Sequence, residues 1–112
     1  MNVKLAGHEV IFKISETELY ELERAGHLEL KIMLGGMVMA IEITVSETIQ
    51  KPVLHLSTDR SEACLGLSVT LSDITNLKDK GKDRDGLMWF TDGTKTLLQV
   101  DLKTDTRPRK AS

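Results

Sequence analysis

Apolar residues recur at every second position through most of the chain. Val3 and Leu5, then Val10, Phe12 and Ile14, alternate with polar neighbours on either side of Gly7-His8. That spacing predicts two half-buried strands joined by a tight turn. The period then changes. Ser15 followed by Glu18 forms a capping-box pattern, with Ile14 before the cap and Leu19 placed to staple the strand to a helix. Acidic residues open the segment, Arg24 closes it and Gly26 follows, so a helix is predicted over 16–25 with Leu19, Leu22 and Ala25 as its apolar stripe.

Alternation returns after Gly26. Leu28, Leu30, Ile32 and Leu34 share one face, Gly35-Gly36 makes a hairpin turn, and Met37, Met39, Ile41, Ile43 and Val45 continue the buried face on the way back. A short strand is expected over 53–57, then a turn, then a strand through Leu65, Leu67, Val69 and Leu71. Ser72 or Asp73 is placed to cap a single turn bearing Ile74 and Leu77. The segment "KDKGKDRDG" reads as a charged loop, and "LMWFT" and "TKTLLQVDL" as a last hairpin about Asp92-Gly93. No sequence repeat stands out.

The expected fold is therefore α+β: a curled antiparallel sheet or partial barrel of about eight strands, with one main helix (16–25) packed on its inner face. Residues 1–103 form one domain and 104–112 a basic tail. Any mouth left open in the curled sheet is the natural place for a cleft.

Residues 7–30, "GHEVIFKISETELYELERAGHLEL", resemble the start of a domain-of-unknown-function family of small uncharacterised bacterial proteins. That family's pattern runs glycine, asparagine, a small residue, an alternating Ile-Arg-Phe-Arg-Leu strand with Ser or Thr, a helix ending at glycine, and a Val-Glu-Glu strand. Gly7, Phe12, Ser15, Leu22, Gly26 and Glu29 match it, whereas His8 and Ile11 stand where asparagine and arginine are usual. The resemblance implies an α+β domain and brings no activity or functional residue with it.

At 112 residues, 40% apolar and 29% charged, the chain is large enough to bury a core without metal or crosslinks. The single cysteine, Cys64, excludes an internal disulfide. With no signal-like start and no run long enough to span a bilayer, the expectation is a cytoplasmic protein. Net charge is -2, but residues 1–77 carry 6 basic and 11 acidic side chains while 78–112 carry 9 and 6. The cationic end is concentrated in Arg107, Arg109 and Lys110, which read as a solvated terminus able to touch an anion.

Candidate chemistry is sparse. His8, His27, His55 and Cys64 lack metal-ligand spacing, so no metal or other cofactor is expected. His8 and His27 come close only if the first and third strands pair. Cys64 reads as an inert buried thiol. The glycine turns lead into strands rather than helices, which argues against phosphate loops. Glu16, Glu18, Glu21 and Glu23 read as a solvated helix face, and Met33, Met37, Met39 and Met88 with Trp89 and Phe90 as pliable core or pocket lining. With aromatics at 4% there is no stacking platform for single-stranded nucleic acid.

The leading expectation is a non-enzymatic module binding a protein or small-molecule partner, with His55, Asp59, Arg60 and Trp89 as ligand-binding candidates. One rival is a small enzyme with its site near His55, Asp59 and Arg60. Another is anion or nucleic-acid contact through Arg107, Arg109 and Lys110. Unprotected strand edges also make a homodimer an expectation.

Overall fold

A computed structural model of the chain describes residues 1–80 and 86–101. The basic tail with Arg107, Arg109 and Lys110, and most of the charged loop, lie outside the described residues. Eight strands and two helices follow in the order β1 (Asn2–Ala6), β2 (Glu9–Ser15), α1 (Glu16–Ala25), β3 (His27–Leu34), β4 (Met37–Val45), β5 (Val53–Thr58), β6 (Glu62–Val69), α2 (Leu71–Lys80), β7 (Leu87–Thr91) and β8 (Thr94–Asp101). The fold is α+β.

The single antiparallel sheet expected from the hairpins is replaced by two mixed four-stranded sheets, ordered β1-β2-β8-β7 and β3-β4-β6-β5. Every hairpin is antiparallel, but β2 runs parallel to β8 and β4 parallel to β6. Local turn chemistry specifies the hairpins. Nothing local specifies how hairpins distant in sequence join, and that joining makes the sheets mixed.

The second departure is α2. Its segment forms a ten-residue helix rather than a single turn, and β6 ends at Val69, so Leu71 belongs to the helix and is exposed. Thr70 is the cap, not Ser72 or Asp73: its hydroxyl accepts from Asp73 N–H at 3.0 Å, and Thr70 N–H donates to the Asp73 carboxylate at 2.9 Å. At α1 the expected box is present, with Ser15 and Glu18 exchanging bonds of 3.0 and 2.9 Å, and Gly26 takes the left-handed conformation (φ 80°) that ends the helix. Leu19 and Leu22 are buried, but Ala25 is exposed and outside the stripe.

The two halves of the chain repeat one element order, ββαββ. Equivalent residues keep an offset of 55 positions through β2 and α1 onto β6 and α2: Phe12 with Leu67, Ser15 with Thr70, Leu22 with Leu77. The same offset relates β4 to β8, pairing Ile43 with Leu98. Each sheet joins a hairpin from one half to a hairpin from the other, so the halves are intertwined.

One core unites both sheets and both helices. Phe12, Leu98, Ile43 and Leu67, from the four central strands, are almost completely buried at its middle. Towards the ends of β2 and β6 that lead into the helices, Leu19, Leu22, Ile74 and Leu77 close the core. Burying each of these contributes about 1.5–3 kcal/mol. The helices therefore cap one end of the paired sheets instead of lining a curled face.

Candidate functional site: a cleft at the turn end

Among the described residues no helix covers the opposite end, where β2, β4, β6 and β8 begin. A cavity of about 520 Å³ opens there between the sheets. Its inner lining is Val10 on β2, Met39 on β4, Leu54 and Leu56 on β5, and Leu65 on β6. Leu5 and Ala6 on β1, Gly7 in the turn that follows, Glu9, His55, and Thr91, Asp92 and Thr94 of the last hairpin complete the mouth. The strands position these groups by simple alternation: Thr94 shares the inward face of β8 with Thr96 and Leu98, as Leu65 shares that of β6 with Leu67.

The repeat places the cleft where the two halves meet. Leu5 is the register partner of Val10, and Leu56 of Leu65, so the two pairs are equivalent in the two halves. Met39 and Thr94 are equivalent as well. Leu5 is 58% and Leu56 64% exposed, although both extend a core face. An aliphatic group entering the mouth would remove both from water.

Charge is turned away from the interior. Glu9 sits on the outward face of β2, where Lys95 Nζ approaches its carboxylate at 3.7 Å. His55 also turns its ring outward, over Gly66 of β6, although the residue borders the cleft.

A second, smaller hollow of about 260 Å³ lies on the outer face of the sheet β3-β4-β6-β5. At its centre Glu42 accepts the Cys64 thiol at 2.9 Å and contacts His27 Nε2 at 3.2 Å. The hydrogen bond to Glu42, then partial burial and the charges of Glu42 and Glu29, push the Cys64 thiol up to about 11. The bonds from Cys64 and His27 hold the Glu42 carboxyl below its ordinary value. Cys64 is thus a hydrogen-bonded thiol, and a poor nucleophile at neutral pH. His8 lies in the β1–β2 turn and His27 opens β3 of the other sheet, and among the described residues no three metal-ligating side chains are placed to hold an ion.

The ligand candidates read from the sequence are dispersed. His55 borders the large cleft and Asp59 the outer hollow, Arg60 lines neither, and Trp89 packs half-buried against the core from the other sheet. Asp59 organises the β5–β6 turn, its N–H donating to the Glu62 carbonyl at 2.7 Å and its carboxylate accepting from Arg60 N–H. Met39 lines the cleft, whereas Met33, Met37, Met88 and Phe90 are exposed. Among the described residues no helix is long and apolar enough to cross a membrane. Compared with known proteins, the chain matches no family model, no curated protein and no solved structure.

Proposed function

We propose that the chain is a small-ligand-binding module whose site is the cleft between the two sheets. The observation carrying this reading is the pair Leu5 and Leu56, two half-exposed leucines over a floor of buried Val10 and Leu65. A cavity of about 520 Å³ falls within the usual range of small-molecule sites. The inward polar groups of its lining are threonine hydroxyls, which suit recognition.

Titration with an uncharged hydrophobic dye such as Nile red tests the reading. Saturable binding is expected, lost in Leu5→Asp and Leu56→Asp, two rim substitutions that leave the core intact. Equal binding by the wild type and both variants would overturn it.

Self-association is a second reading with its own observation. β7, "LMWFT", is an edge strand without a charged residue, and its outward Met88 and Phe90 are 49% and 70% exposed. Natural edges are usually guarded by charge or proline. A second copy pairing along β7 would cover both side chains. Sedimentation of the wild type against Phe90→Lys decides: a dimer abolished by the substitution supports pairing, and a wild-type monomer at high concentration rejects it.

A further inference from the structure

The two walls of the cleft differ in chemistry, and the difference breaks the internal repeat. On the β3-β4-β6-β5 side the wall is Met39, Leu54, Leu56 and Leu65. On the other side Thr91 and Thr94 face inward, and Thr96 follows Thr94 on the same face of β8. In the repeat, Thr94 and Thr96 occupy the places held by Met39 and Ile41. One half supplies methyl and thioether groups at these two positions, and the other supplies hydroxyls.

Thr96 is the informative member. It is 0% exposed, lies in register between Val10 and Trp89, and its Oγ1 has no hydrogen-bond partner. Valine has the same shape and would bury without that desolvation cost. Its side chain lies in register beside Val10, one layer beneath the residues that line the cleft, and its hydroxyl gives the protein nothing in its own packing. It offers a polar contact to a ligand that reaches past Val10 and Thr94. Charge is confined to the mouth, where Glu9 is engaged with Lys95 and Asp92 and His55 border the opening, while the polar groups further in are threonine hydroxyls.

Resting on the cleft reading above, we infer that the ligand is a small uncharged amphiphile carrying a hydroxyl or amide group. Its apolar body lies on Met39, Leu54, Leu56 and Leu65. Its polar end is received by the hydroxyls of Thr94 and Thr96.

Calorimetric titration of the full chain with octanol, octanoate and octylamine tests this, with Nile red as a reference for the cleft itself. Octanol is expected to bind at least about tenfold more tightly than either ion, since a charged head placed beside Thr94 and Thr96 loses its hydration without a charged partner at that depth. Thr94→Val and Thr96→Val should each weaken octanol about three- to tenfold, the equivalent of one hydrogen bond, while Nile red binding persists. Thr96→Val should also raise Tm, a gain that a purely structural hydroxyl would not give. Octanoate or octylamine binding as tightly as octanol, or both valine variants holding octanol with wild-type affinity, would overturn the inference while leaving the cleft reading in place. If Nile red and all three octyl compounds fail to bind, the cleft reading fails and this inference with it.

Discussion

Ser15 and Thr70 perform the same task at equivalent points of the two half-chains: each hydroxyl accepts, at 3.0 Å, the backbone N–H of the residue three positions on. Glu18 and Asp73 answer by accepting the cap residue's own N–H. Both helices begin where a core strand ends, so each cap fixes the angle at which a strand hands over to the plug of the core. Ser15→Ala and Thr70→Ala should each destabilise the fold by about 1 kcal/mol. Urea unfolding of the two single variants and the double measures it. Near-additive losses are expected, because the caps share no partner.

The bond from Cys64 to Glu42 makes a chemical prediction. With the thiol held near 11, against an ordinary value of 9.0, alkylation by iodoacetamide should be slow at mildly alkaline pH. Glu42→Gln removes the charged acceptor, and reaction should accelerate by about tenfold. More thiolate forms, and its lower nucleophilicity cancels part of the gain. Mass spectrometry of the alkylated fraction over time reads this directly.

The same pair governs stability at both ends of the pH range. Glu42 titrates in the folded protein below its ordinary 4.5, so its contribution is present above that value and is lost as pH falls through the folded one. Cys64 titrates above 9.0 in the folded protein, so its contribution is complete below 9.0 and is lost as pH climbs to about 11. Urea midpoints followed across the acid and alkaline limbs should therefore fall on both sides, and Glu42→Gln should flatten both.

On the outer face of β5 and β6, His55 covers Gly66, and a methyl group at residue 66 would meet the imidazole Cε1 and Nε2. The ring is the far end of an exposed side chain and can swing aside, so Gly66→Ala is expected to cost at most about 1 kcal/mol. In a His55→Ala background the same change should be neutral or stabilising, because glycine inside a strand is intrinsically unfavourable. A thermal-melt double-mutant cycle measures the coupling, and equal costs in both backgrounds would contradict it.

The sequence reveals most clearly those features that depend on neighbours in the chain. Ser15 and Glu18 announce α1, Asp92-Gly93 announces the last hairpin, and period-two alternation places Phe12, Ile43 and Leu67 on inward faces, as found. Features that depend on distant pairing are hidden. The alternation of β2 and β8 is the same whether they run parallel or antiparallel, so the mixed sheets leave no local mark. The repeat is masked because Val10 matches Leu65 and Ser15 matches Thr70 in character rather than identity.

The cleft was legible only as the idea that the sheet leaves a mouth. Its residues were not, since Leu5 and Leu56 look like ordinary core positions and become a rim only because both described helices lie at the other end. Thr96 gives no signal in sequence, because threonine is common in strands. Its meaning appears when its equivalent, Ile41, and its unpartnered hydroxyl are seen together.

The most direct test of the cleft is methyl NMR of the wild-type protein titrated with octanol. Saturable shifts confined to Leu5, Val10, Met39, Leu54, Leu56 and Leu65 are the predicted result. Shifts centred on Met33 and Met88 instead, or no saturable shifts anywhere, would contradict the account.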